Sequence, residues 1–134
     1  MAGTSALIPQ AAAIPVQGQQ VCLVTSSTGR RWVIPKGLVD PGDTPEECAL
    51  KEAWEEAGLI GVLDPEPVGR YVYSKWGQAF EVTVFRMRVS EVHEEWPEHG
   101  VRRRIWVSFG DAAARVADSG LKKVLRAALQ PDAQ

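Results

Sequence analysis

Residues 44 to 58, "TPEECALKEAWEEAG", constrain the fold of this chain more than any other stretch. Thr44 stands at an N-cap, Pro45 at the first helical position and Glu47 at the third. That is a capping box, with proline where its missing N–H is least needed. Gly58 supplies a helix stop. The spacing predicts a helix over 45–57. At about 100° per residue, Leu50, Ala53, Trp54 and Ala57 share one face, and Glu52, Glu55 and Glu56 share the opposite one. The glutamates stand at i, i+3 and i+4, where like charges repel. Residues 37 to 59 hold seven carboxylates, and Lys51 and Lys75 are too few to neutralise them. Such a face is either simply solvated or built to take a divalent cation. Magnesium commonly accepts one or two carboxylates together with waters and substrate phosphates.

The rest of the chain supplies strands around that helix. "AAAIPVQ" reads as a short strand, and Pro15, which cannot donate to a ladder, suits a sheet edge. "QQVCLVTSS" and "RRWVIP", joined by the turn "STGR", suggest a hairpin. Residues 37 to 43, with Gly37, Pro41 and Gly42, read as a loop. "EPVGRYVYS" and "QAFEVTVFRMRVSEV" are strands that meet at a turn around Trp76 and Gly77, and "VRRRIWVSF" is a further strand. Ser108 and Asp111 cap a short helix, and Leu121, Val124, Leu125 and Ala128 give a last helix its apolar stripe. Without regular βαβ alternation, the expected class is α/β with a mixed sheet flanked by helices.

A length of 134 residues fits one domain, 1–134. A net charge of −2 gives no basic footprint for a nucleic acid polymer or a membrane surface. No stretch approaches the roughly 20 apolar residues of a membrane span. The start, "MAGTSALIPQAAAIPVQG", lacks the basic region of a signal peptide, and Cys22 and Cys48 read as buried thiols in a reducing compartment. The expectation is a cytoplasmic protein.

The acidic segment resembles the Nudix hydrolase signature: a glycine, five residues, a glutamate, seven residues, then Arg-Glu-apolar-any-Glu-Glu-any-Gly-apolar. Here the matching positions are Gly37, Asp43, Lys51, Glu52, Ala53, Glu55, Glu56, Gly58 and Leu59. Asp43 replaces the signature glutamate and Lys51 its arginine. Lysine keeps the charge but loses the planar fork that grips two carboxylate oxygens. "VCLVTSSTGRRWVIPKG" and "EEWPEHGVRRRIWVSFGDA" look like the diphosphoinositol polyphosphate phosphohydrolase branch and its bacterial relatives.

The resemblance implies a Nudix-type α/β/α sandwich and hydrolysis of a diphosphate linkage with Mg²⁺ or Mn²⁺. It implies Glu52, Glu55 and Glu56 as metal ligands with the Gly37 carbonyl, and Glu55 or Glu52 as the catalytic carboxylate. Some members recruit the base from a later loop, where Glu95 or Glu98 would serve. It also places Ser26, Ser27 and part of the run Arg102–Arg104 near phosphates. The polyphosphate needs cations, and Arg30, Arg31, Lys36, Arg103 and Arg104 are the candidates, although each arginine reads as readily as a solvated charge. Strand alternation sends Arg103 to one face and its neighbours to the other. Trp32, Trp54 and Trp106 read as core, and Lys122 and Lys123 as a wet helix face. Tyr73 and Trp76 read equally as contacts for a nucleobase or as parts of a surface hairpin. The expected partner is an anionic polyphosphate small molecule of the diphosphoinositol or dinucleoside type, met by a monomer or homodimer. The alternative is a non-catalytic Nudix domain that senses nucleotides or polyphosphate.

Overall fold

Strand β1 (Ile8–Gln17) alternates between two cores: Ala12, Ile14 and Val16 enter one, Ala11 and Ala13 the other. The computed structural model describes residues 6–129, so both ends of the domain expected over 1–134, and the first residues of the chain start, lie outside it. Along one edge β1 runs parallel to β7 (Gln78–Val92), from Ile8 opposite Phe80 to Val16 opposite Arg88. Its other edge is shared by β4 (Lys36–Leu38) and β2 (Gln20–Thr25), both antiparallel.

Pro15 therefore lies inside the sheet, not at an edge. Pairing with β4 reaches Ala12, Ala13 donates to the Pro35 carbonyl at 3.1 Å, and β2 takes over at Val16. Pro15 sits in the break between the two ladders, where its missing N–H interrupts neither.

Among the described residues the sheet has eight strands of mixed direction. β2 pairs with β3 (Trp32–Val33), as the hairpin reading requires, and with β8 (Arg104–Ser108). The second edge of β7 is divided between β6 (Gly69–Lys75) and β5 (Leu59–Leu63). Two sequence expectations change. Gly37 and Leu38 belong to β4, so the loop begins at Val39, and the strand over "VRRRIWVSF" contracts to 104–108.

Helix α1 (Pro45–Ala57) covers one face of the sheet. Helices α2 (Phe109–Arg115) and α3 (Ser119–Ala128) cover the other, so the α/β/α layering stands. The stripe Leu121, Val124, Leu125 and Ala128 is buried as expected. Lys122 is not simply a wet residue, since its ammonium donates to the Ala113 carbonyl at 2.8 Å.

The capping box at Thr44 and Glu47 and the left-handed stop at Gly58 (φ 70°) are both formed. The buried face of α1 differs from the expected one. Cys48, Ala49, Ala53, Glu56 and Ala57 are buried, while Leu50 is 37% exposed. Trp54 is only partly buried, packed edge-on against His93. The cause is side-chain size. Ala49, Ala53 and Ala57 lie in the same core as Ala11 and Ala13, so small residues mark the line of close approach. At about 100° per residue Glu56 falls near the middle of the arc from Cys48 to Ala57, and is carried inside with them.

Candidate active site

The C-terminal end of α1 brings the carboxylates into play. The last four carbonyls of a helix have no partner within it, and here each finds one. Gly58 N–H donates to Trp54 at 2.9 Å, and Glu98 N–H to Glu55 at 3.0 Å. The Trp96 indole N–H donates to Glu56 at 3.0 Å, and the Arg104 Nη1 to Ala57 at 2.6 Å. His93 N–H adds a bond to the Gly58 carbonyl at 2.9 Å. The segment between β7 and β8 is thereby fastened across the end of α1.

That segment delivers Arg102 to Glu56. Arg102 Nη2 lies 3.3 Å from Glu56 Oε2, its Nε pairs with Glu98 Oε1, and its Nη1 donates to the Thr25 carbonyl at 2.8 Å. From the other side, the Lys36 N–H donates to Glu56 Oε1 at 3.3 Å. Glu56 is 6% exposed, and burial pushes its carboxyl up to about 8, with Arg102 pulling against it. Burial also raises the Glu52 carboxyl, and Glu52 and Glu56 lie within hydrogen-bonding reach of each other. Part of the repulsion read from the sequence is thus relieved by a partner 46 positions away in the chain.

Gly37 faces this pair. A Cβ built on Gly37 would stand 2.4 Å from both Cδ and Oε2 of Glu52, so the carboxylate occupies the space a side chain would fill. The Gly37 carbonyl accepts from Cys48 Sγ at 3.4 Å. Lys51 pairs with Asp40 at 3.3 Å across the exposed surface, tying the loop after β4 to the helix. Among the described residues, no three His, Cys, Asp or Glu side chains converge closely enough to hold a metal ion. Glu52 and Glu56 form a pair, and Glu55, half-buried, stands beside it. Two adjacent carboxyls held above their ordinary range suit a divalent cation completed by waters and phosphate oxygens.

The candidate phosphate-binding residues fall into two groups. Ser26, Ser27, Arg30, Arg31 and Lys36 line one cleft of about 480 Å³, which Tyr73, Lys75 and Asp118 also border. Lys36 joins this cleft to the carboxylates, because its backbone N–H meets Glu56 while its ammonium lies 4.9 Å from the centre of the Tyr73 ring. Burial lowers the pKa of that ammonium, with the charge of Glu56 opposing.

Arg103 and Arg104 lie elsewhere. Arg103 is exposed beside the Trp32 ring, and Arg104 packs on Trp96 while bonding Ala57. The alternation read from sequence survives, with Arg102 and Arg104 both turned to α1 and Arg103 away. Trp96 has no role in the sequence pattern, and Arg102 has only a share in the arginine run, not its pairing with Glu56. The signal for them was an unanswered requirement, namely four helix-end carbonyls and a buried glutamate.

The chain belongs to the NUDIX domain family, whose profile matches residues 7–128. Nudix hydrolase 4 from Arabidopsis thaliana is 33% identical over 116 residues, covering 85% of this chain and 56% of that protein. Diphosphoinositol polyphosphate phosphohydrolase 2 from Rattus norvegicus is 33% identical over 102 residues, covering 72% of this chain and 54% of its own length. The chain spans little more than half the length of either relative. Among solved structures, the binary complex of C. elegans Ap4A hydrolase matches with a TM-score of 0.78 at 20% identity, over 90% of this chain and 94% of that one. Among the described residues no helix is long and apolar enough to cross a membrane.

Proposed function

We propose that this chain hydrolyses a phosphoanhydride linkage in a polyphosphorylated small molecule, of the diphosphoinositol or dinucleoside polyphosphate type, with Mg²⁺ or Mn²⁺. The observation that carries the reading is the Glu52–Glu56 pair set against Gly37 at the end of a cationic cleft. Relatives named for Nudix hydrolase and for diphosphoinositol polyphosphate phosphohydrolase activity support it.

Glu52 and Glu56 would hold the cation, with Glu55 and the Gly37 carbonyl as further candidate ligands. Bound there, the cation would neutralise phosphate charge and lower the pKa of a bound water. Ser26, Ser27, Arg30, Arg31 and Lys36 bind and orient the phosphate chain in the cleft. Glu55, half-buried where Glu56 is buried, takes the proton of the attacking water, and Glu52, also half-buried, is the other carboxylate placed for that step. Glu98 is held by Arg102 near the pair and is a second candidate base, whereas Glu95 lies exposed. Hydrolysis adds the hydroxide of the attacking water to one phosphorus, breaks its bond to the bridging oxygen, and passes the proton taken by the carboxylate to the departing phosphate. Arg103 and Arg104 enter this reading only through substrate groups that extend beyond the cleft.

Free, buried Cys22 and Cys48 support a reducing, cytoplasmic setting. A single domain over 1–134, acting as monomer or homodimer, completes the reading.

A panel of diadenosine polyphosphates and inositol pyrophosphates, assayed with Mg²⁺ and with Mn²⁺, tests it. Metal-dependent release of a phosphorylated product is expected from one class. Tight binding of a polyphosphate without turnover would replace this reading with that of a sensing domain.

A further inference from the structure

We propose that Trp76 is a specificity-determining residue, whose ring at the tip of the β6–β7 hairpin stacks on a planar aromatic group carried by the bound polyphosphate. The inference rests on reading the cleft as a polyphosphate site and adds which end group that site selects.

The argument begins from a local conflict. Lys75 pairs with Gln78, so Trp76 and Gly77 make a two-residue hairpin turn, with φ of 53° and 75°. Both positions of such a turn require left-handed backbone, and the first is normally Asn, Asp or Gly. A tryptophan there strains its own Cβ against the backbone. Its side chain is also left in water, 88% exposed, the most exposed of the large apolar residues among those described. Neither turn formation nor core packing accounts for the choice.

Position supplies the account. Ser74 and Lys75 line the phosphate cleft, and the Lys75 ammonium stands 4.4 Å from the centre of the Trp76 ring. The ring therefore stands just beyond the cleft lining, against a lysine that borders the cleft. The neighbouring aromatic in the cleft is already engaged: Tyr73 stacks on Phe80 at 5.1 Å and gives its hydroxyl to Gln10 at 2.7 Å. The remaining tryptophans are packed. Trp32 and Trp106 lie against the two cores, Trp54 meets His93, and Trp96 bonds the Glu56 carbonyl. Trp76 is the one left with a large ring available to a ligand. A nucleobase offers a π-face to such a ring, whereas an inositol ring, puckered and hydroxylated, does not.

Calorimetry with Mg²⁺ present, using adenosine tetraphosphate and inorganic tripolyphosphate as probes, tests this on the whole chain. Trp76→Asn suits the turn and keeps the cleft. It should unfold at the same temperature as the parent or higher, and bind the adenosine probe roughly 5- to 100-fold more weakly. Its affinity for tripolyphosphate should be unchanged, and Trp76→Phe should fall between. Equal affinity of parent and Trp76→Asn for the adenosine probe overturns the proposal while leaving the cleft reading intact, as does an equal loss for both probes. Failure of the parent to bind either probe overturns both readings together. Binding that depends on Trp76 without any turnover sinks the hydrolase reading alone.

Discussion

Arg102 and Glu56 meet at 3.3 Å with side chains only 13% and 7% exposed, joining the β7–β8 segment to the helix that carries the acidic cluster. Removing one member of a buried ion pair leaves the other without compensation, typically at about 3–5 kcal/mol. Glu56 has an alternative, since its carboxyl is held up at about 8 and can take a proton. Arg102→Ala should therefore fall below that range near pH 6 and approach it near pH 9. Urea unfolding of parent and variant at the two pH values measures the difference.

Gly37→Ala tests the fit between β4 and the helix. The added Cβ would stand 2.4 Å from Glu52 Cδ, so the carboxylate must move. No left-handed φ is required at this position, so the backbone tolerates alanine. A displacement of about 1 Å at a reacting group can cost on the order of 100-fold in rate. A loss of that size in kcat, with the unfolding temperature little changed, is the expected result in a steady-state assay.

Stability should depend on pH in an unusual direction for carboxyl groups. Burial raises both Glu52 and Glu56 above the ordinary carboxylate range, Glu56 to about 8. Between the unfolded value of about 4.3 and that point, the folded chain binds more protons than the unfolded one. The contribution is full below that window and is lost as pH rises through it. In chelator the unfolding temperature should drop from about pH 5 to pH 8.5. A divalent cation competes for the same oxygens, so added Mg²⁺ should restore more at the upper end. Differential scanning fluorimetry across this range, with Glu56→Gln expected to flatten the curve, makes the comparison.

Trp96→Phe keeps most of the packing and removes the indole N–H from the Glu56 carbonyl. The cost should be about 0.5–1.5 kcal/mol. Hydrogen exchange should quicken in residues 93–103 and in the last turn of α1 before it changes in the sheet.

These residues also show what can be read from one sequence. The α1 caps and the α3 stripe depend on neighbours three or four positions away, and both are as expected. The buried face of α1 departs from the one its large apolar residues mark, because small residues line the contact with the sheet. The close approach of Ala49, Ala53 and Ala57 to the sheet admits Glu56 and leaves Leu50 outside. Strand β5 carries little alternation, for Gly61 interrupts it where a Cβ would meet the Arg88 carbonyl at 2.1 Å. Arg102 reaches Glu56 only because β8 is paired to β2 and the preceding segment docks on a helix end. No local pattern records such a contact.

Titration calorimetry of Mn²⁺ into the chain near pH 7, in two buffers of different ionisation enthalpy, tests the central claim most directly. The account predicts binding accompanied by proton release, because the cation displaces the proton held by Glu56, and loss of both signals in Glu56→Gln, with binding weakened in Glu52→Gln. Glu56→Gln should also lose most metal-dependent turnover while remaining folded. Binding that is absent in the parent, or unchanged in heat and proton count in the two variants, would contradict it.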